Sequence, residues 1–412
     1  MLTTYGYIFL ASILFSLISL VYYLLNSLRS FKSPKYSYAD GDADTDDVTA
    51  VVPVYNEDEE TFRKCIESLR LQASHILVVG DSSLEPYRSI THANGGSFVY
   101  QDVRRGKRGS ISNAMNYVST RYVLFVDSDT EVPEGSAYSM LSKFTEDVGG
   151  VGTAVSARIT RSDNVSYCSE FFEKLKEVIF RAMSINGSVM VLDGRCAMYR
   201  TDLVKGFMLS KEYTQNMAFG KKSLLAEDRH LTGYVVRSGY KTIIDYNVTV
   251  VTAPPRNFRT LFRQTVRWSR AGYFYFFKEV ADGSYFKRGL FYSFDMAYMY
   301  LFPIALISIG LVRLNLAFSR GIGNYLSFEI RHYGTLLALN FAHVSDRFLV
   351  SLWVQLLVLL GLAVFGIAIG IRITKGKKKK TLVLGIVALL MMFAASIYGL
   401  LTVWKQNEWL TR

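Results

Sequence analysis

Two carboxylates separated by one serine, Asp127-Ser128-Asp129, close the apolar run Tyr122 to Val126. A strand ending there delivers both acids to one loop, where a hard divalent ion completed by phosphate oxygens can be held. An acidic turn uses the same residue types, so the pair alone leaves both readings open. Upstream, Gly106-Lys107-Arg108 places a basic pair beside a glycine, which lets cations approach phosphate where bulkier neighbours would block them; an ordinary solvated loop has the same composition. Farther along, Glu227-Asp228-Arg229-His230-Leu231-Thr232 opens an amphipathic stretch. Acids there suit a helix N-terminus, and Asp228 could equally serve as a general base. Arg263 to Trp268 gathers an amide, a guanidinium and an indole; helical spacing puts Gln264, Arg267 and Trp268 on one face. Such a face could hold a sugar and a departing diphosphate, or anchor the chain at a membrane interface.

These residues need elements to position them. From about Asp47 to Tyr285, short β-branched runs alternate with amphipathic stretches, the pattern of an α/β domain. Expected strands are Val48 to Val54, His75 to Val79, Tyr122 to Asp127, Val151 to Arg158 and Lys241 to Tyr246. Expected helices include Asp58 to Leu69 and Gly109 to Val118. Ligands of open α/β sheets sit at the carboxyl ends of strands. Tyr55-Asn56-Glu57, Asp81-Ser82-Ser83 and Asp127-Ser128-Asp129 each follow an apolar run, as that rule requires.

The flanks of this domain belong to a membrane. Tyr5 to Leu25, Phe348 to Ile371 and Thr381 to Trp404 carry no charged side chain, and Leu290 to Val312 is interrupted only by Asp295. Each is long enough to cross a hydrocarbon core of ~30 Å. The first lacks the basic leader and small-residue cleavage site of a signal peptide and reads as an anchor. The net charge of +12 could indicate nucleic acid. Its clustering in Arg29, Lys32, Lys35 and Lys375 to Lys380 instead follows the positive-inside rule, and no nucleic-acid partner is expected. The rule places the α/β domain in the cytosol. The last apolar segment is ambiguous: it could cross outward, or lie in the interface or re-enter. Cys65, Cys168 and Cys196 are far apart, show no metal-binding spacing, and suit a reducing compartment.

Taken together, these motifs resemble those of processive family 2 glycosyltransferases, the group containing hyaluronan, chitin and cellulose synthases. The layout is most similar to bacterial hyaluronan synthases and the pneumococcal type 3 capsule synthase. The residues that carry the resemblance are Val52 to Glu57, Gly106 to Arg108, Val126 to Thr130, Leu192-Asp193-Gly194-Arg195, Glu227 to Thr232, Gln264 to Trp268, and Trp409-Leu410-Thr411-Arg412. The resemblance implies a GT-A-type nucleotide-sugar domain, a mixed sheet flanked by helices, inserted between transmembrane helices. It implies an N-terminal span over 1–30, a cytosolic catalytic domain over 47–285 with interfacial helices at its end, and a C-terminal membrane region over 286–412.

By the same resemblance Tyr55, Glu57 and Asp81 line the nucleotide site and Lys107 meets the diphosphate. Asp127 and Asp129 hold Mg2+ or Mn2+, with Asp127 also at the donor. Asp228 is the catalytic base. Gln264, Arg267 and Trp268, with Asp193 and Arg195, serve the acceptor and diphosphate, and Trp409 and Arg412 reach the nucleotide, which favours a re-entrant last segment. The implied activity is inverting transfer from a nucleotide sugar, UDP-linked in this group, to a growing β-linked polysaccharide exported across the plasma membrane. A non-processive transferase acting on a lipid-linked acceptor is the alternative. The chain departs from the family at Val79-Gly80-Asp81-Ser82-Ser83, where paired acids are common, and at Asp193-Gly194-Arg195-Cys196, where hyaluronan synthases have Ser-Gly-Pro.

Overall fold

A computed structural model of the chain describes residues 4–32, 44–159, 163–320 and 346–408. Helix α1 (Thr4–Ser30) enters from the membrane region. The α/β domain then proceeds through β1 (Val48–Val54), α2 (Glu59–Leu69), β2 (His75–Asp81), α3 (Tyr87–Ala93), β3 (Ser97–Gln101), α4 (Gly106–Ala114), β4 (Tyr122–Val126), β5 (Thr130–Glu131), α5 (Ser136–Leu141) and β6 (Val148–Ala157). It continues with α6 (Asn164–Ser184), β7 (Cys196–Arg200), α7 (Thr201–Leu209), α8 (Lys211–Thr214), the small hairpin β8 (Met217–Ala218) and β9 (Lys221–Lys222), α9 (Glu227–Arg237) and β10 (Lys241–Thr252). Helices α10 (Phe258–Ala281) and α11 (Ser284–Lys287) return the chain to α12 (Leu290–Arg320), α13 (Asp346–Ile371) and α14 (Lys378–Leu400).

The sheet runs β3-β2-β1-β4-β7-β6-β10-β5. Strands β3, β2, β1 and β4 are mutually parallel. Strand β7 is antiparallel to both β4 and β6, so the sheet is mixed. Every expected strand is present. β6 begins earlier than Val151, at Val148, and β10 extends past Tyr246 to Thr252. Asp58 caps α2 through a bond from the Thr61 amide of 3.0 Å, the arrangement that leaves fewest unpaired amides at a helix start.

The central strands are buried on both faces, as strands sandwiched between helices must be: Val51 and Val79 pack under α4 and α6, while Val52 and Val78 pack under α2 and α5. Helix α6 is buried along nearly its whole length despite Glu170, Glu173, Lys174 and Glu177. Those charges are paired: Lys174 lies 3.1 Å from Glu177 and 3.7 Å from Glu170. The helix is therefore a middle layer between the sheet and the apolar helices rather than a solvated face.

Four helices are long and apolar enough to cross a membrane, spanning Leu10–Ser30, Leu290–Val312, Trp353–Ile371 and Lys378–Leu400. The C-terminal end of α1 is fastened to α6, with Arg29 bonded to the Ala182 carbonyl and to Asn186. Arg372, at the end of α13, donates to the Ser30 carbonyl. Trp409 and Arg412 lie outside the described residues.

Candidate active site

A cleft of about 1590 Å³ opens at the carboxyl ends of β1 and β4. Its wall includes Tyr55, Glu57, Asp81, Lys107, Asp127, Asp129, Asp193, Arg195, Asp228, Gln264, Arg267 and Trp268. Every sequence-derived candidate within the described residues therefore reaches one space, although they are separated by up to half the chain.

Lys107 organises its centre. The glycine before it, Gly106, has φ +73°, a left-handed conformation that side chains disfavour, and this turn starts α4 with Lys107 in its first turn. The basic pair expected on a loop is thus on a helix start, where amides favour an anion. Lys107 Nζ lies 2.6 Å from Asp127, 3.2 Å from Glu227 and 3.4 Å from the Gly194 carbonyl. Burial would lower the ammonium's pKa, but Asp127, Glu227 and Asp228 outweigh it and hold it well above the ordinary lysine value. Lys107 Nζ comes close to Gly194, where a Cβ would stand 2.8 Å from it. Arg108 turns away from Lys107, donating to the carbonyls of Tyr213 and Leu225 and lying 3.1 Å from His230 Nδ1.

Asp228 sits in the first turn of α9, behind Ala226, whose φ of 52° and ψ of 53° are left-handed. Strain of this kind in a non-glycine residue collects at functional sites. Its carboxylate accepts the Arg229 amide at 2.7 Å and the Gly194 amide at 3.4 Å. Burial raises its pKa to about 6, with Glu227 adding to the rise and Lys107 opposing it. A carboxylate poised there is ionised near neutrality yet basic enough to take a proton. Glu227 beside it is held below the ordinary glutamate value, because Lys107 and Arg108 outweigh its burial.

Asp127 and Asp129 test well as a divalent-ion site. Burial raises the Asp127 pKa, Lys107 opposes the rise, and Asp129 adds to it, so the two carboxylates stand close enough to repel. A hard cation relieves that repulsion, and acidic oxygens on a cleft wall with room for phosphate match its donor preference. Among the described residues no group of three acidic, histidine or cysteine side chains forms a self-sufficient metal cage, which leaves positions for ligands from a bound diphosphate.

Beside the end of β1, the Arg104 guanidinium lies 3.8 Å over the Tyr55 ring, and Glu57 accepts the Ser128 hydroxyl at 3.2 Å. Asp81 accepts the amides of Arg105 and Gly106 at 2.7 and 2.9 Å. It thereby anchors the turn that presents Lys107.

Across the cleft, Lys176 Nζ lies 4.8 Å from the Trp268 ring centroid. Arg195 grips both oxygens of Glu173 at 3.0 and 2.9 Å and also bonds Asp193. Lys176 joins the same group, 2.8 Å from Glu173 and 3.3 Å from Asp193. Burial would raise the Asp193 pKa, yet Arg195 and Lys176 hold it well below the carboxylate range. Glu173 and Lys176, both from α6, complete a site that the motif residues alone leave unfinished; their charge pattern reads as an ordinary exposed helix.

The mixed sheet, its carboxyl-end cleft and the flanking apolar helices define a GT-A-type glycosyltransferase fold attached to a membrane region. Residues 49–207 match the family model described as Glycosyl transferase family 2, and the chain carries a family 2 glycosyltransferase domain. An N-acetylglucosaminyltransferase of Azorhizobium caulinodans is 28% identical over 246 residues, covering 55% of this chain and 59% of that protein. Hyaluronan synthase 3 of Xenopus laevis is 25% identical over 308 residues, covering 63% of this chain and 54% of the synthase. The chain thus spans about half the length of the curated relatives it matches. The solved mannosyltransferase PcManGT of Pyrobaculum calidifontis, in complex with GDP-Man and Mn2+, superposes with a TM-score of 0.58 at 18% identity, over 86% of this chain and 96% of its own. That likeness concerns the fold.

Proposed function

We propose that this protein is an integral membrane polysaccharide synthase that transfers sugar from a nucleotide-sugar donor, a UDP-sugar, to the end of a growing β-linked glycan on the cytosolic face of the plasma membrane. The convergence of Lys107, Asp127, Asp228 and Trp268 on one cleft carries this reading. Asp228 takes the proton from the acceptor hydroxyl as that oxygen attacks the anomeric carbon. The bond to the diphosphate breaks in line, inverting an α-linked donor to a β-linkage. Lys107 faces the departing diphosphate, and Tyr55, Glu57 and Asp81 secure the nucleotide end. Gln264, Arg267 and Trp268 position the acceptor, with Asp193 and Arg195 behind them. Asp127 and Asp129 would hold Mg2+ or Mn2+, which would neutralise charge on the diphosphate.

Purified protein offered labelled nucleotide sugars, singly and in pairs, with the product sized, tests the proposal. High-molecular-weight glycan is expected; transfer of a single sugar to lipid would indicate the non-processive alternative. Excess chelator, or Asp129→Asn, abolishes turnover while thermal stability is retained. Full activity in chelator removes the ion from the mechanism.

A further inference from the structure

Glu173, Lys176, Asp193 and Arg195 form a closed group of charges on the cleft wall. Arg195 bonds both oxygens of Glu173 at 3.0 and 2.9 Å, and its Nε and amide reach Asp193 at 2.7 and 3.2 Å. Lys176 Nζ stands 2.8 Å from Glu173 and 3.3 Å from Asp193. The first pair comes from one turn of α6 and the second from the segment just before β7. With the Ser and Pro of hyaluronan synthases in place of Asp193 and Arg195, Glu173 would lose its guanidinium and Lys176 one of its acids. The group therefore belongs to this chain's departure from the family.

It also lies beside the base. The Gly194 amide, between Asp193 and Arg195, donates to Asp228 at 3.4 Å. On the proposed function, an acceptor whose hydroxyl meets Asp228 lays its terminal ring against this group and Trp268. The members are not equivalent there. Arg195 spends its guanidinium on Glu173 and Asp193, and its side chain is 12% exposed. Lys176 is 25% exposed, and its ammonium lies 4.8 Å from the Trp268 ring centroid. An ammonium has three donors; Glu173 and Asp193 engage two of them, which leaves one at the face of the indole.

The charges of the group balance. Burial would raise the pKa of Glu173 and Asp193, but Arg195 and Lys176 outweigh it and hold both below their ordinary values, so two ionised acids face two cations. We infer that Lys176 is a specificity-determining residue of the acceptor subsite, and that this subsite takes an uncharged terminal sugar in preference to a uronate. A neutral ring offers a hydroxyl to the remaining ammonium donor and displaces nothing. A carboxylate would bring a third acid to two cations. To draw Lys176 to itself it would have to loosen the 3.3 Å contact with Asp193, leaving like charges opposed in a partly buried site. The neighbouring ammonium, Lys107, is already held between Asp127 and Glu227. A glycan whose growing end is always neutral follows, rather than one alternating with a uronate.

This inference rests on the proposed sugar transfer, so its test separates binding from turnover. Purified full-length protein is titrated calorimetrically with cellotetraose and chitotetraose. Each is also offered as the analogue with a carboxylate in place of the non-reducing terminal hydroxymethyl group, and transfer from labelled nucleotide sugars to all of them is then measured. Wild type should bind a neutral form more tightly than its acidic analogue by about tenfold, between the values for like charges ~4 Å apart in water and near a protein surface. Asp193→Asn, which removes one negative charge at nearly constant size, should narrow the gap. Lys176→Met, which removes the cation, should weaken binding of the neutral form and widen the gap, with thermal stability read on the same preparations. Preference for the neutral forms without any transfer would contradict the proposed function and leave this inference standing. Equal affinity within each pair, no affinity for any of the acceptors, or a gap that neither variant moves overturns the inference.

Discussion

Asp228 and Lys107 illustrate how little a residue's chemistry owes to its own position in the chain. A glycine-flanked lysine and a helix-opening aspartate are legible as candidates, but their electrostatics are not. Lys107 is held between carboxylates from β4 and α9, and Asp228 gains its raised pKa from burial and from Glu227. Glu173 and Lys176 were illegible for the same reason: their partners Arg195 and Asp193 come from a different element. A pH dependence follows. The base acts when ionised, so kcat/KM should be level above about 6 and fall as pH drops through that value, by about tenfold per unit below it. Initial rates across pH 5–8 at saturating metal check this; a profile flat down to pH 5 would remove Asp228 from proton transfer.

At the scale of elements, β1, β2 and β4 were readable because parallel, doubly buried strands are near-continuous β-branched runs. Strands β3 and β7 escape, since Ser97–Gln101 and Cys196–Arg200 lack a β-branched run; β7 is a strand because β4 and β6 accept it as an antiparallel partner. The helix expected from Gly109 starts instead at Gly106, because a left-handed glycine initiates it where Gly106 and Lys107 read as loop residues. Gly106→Ala tests that element. A Cβ there meets no atom within 4 Å, so its cost is backbone strain alone, about 1–2 kcal/mol. The variant should lose a few degrees of thermal stability and a larger share of its nucleotide affinity, read by thermal shift and by titration with nucleoside diphosphate. Unchanged affinity would mean that the Lys107 turn does not meet the donor.

On one face the molecule is layered, sheet, then α6, then α1, α13 and α14, with α10 packed against α14. Composition marks which segments are apolar but not which neighbour each chooses; that α14 packs along α6 and α10 is visible only in the fold. The layering also explains why so many charges are buried at the domain's underside: they are paired there, and removing one partner of such a pair leaves a buried charge uncompensated. It also brings Tyr300 of α12 onto the wall of the cleft. All of this serves one claim, that the cleft transfers sugar from a nucleotide donor with Asp228 as base. The most direct measurement is release of free nucleoside diphosphate by purified wild-type and Asp228→Asn protein, with nucleotide affinity and thermal stability read on the same preparations. Asparagine matches aspartate in size and keeps an oxygen for the Arg229 amide, so folding and donor binding should persist. Release by the variant should fall by ~100- to 10,000-fold. Near-normal release by Asp228→Asn would contradict the account.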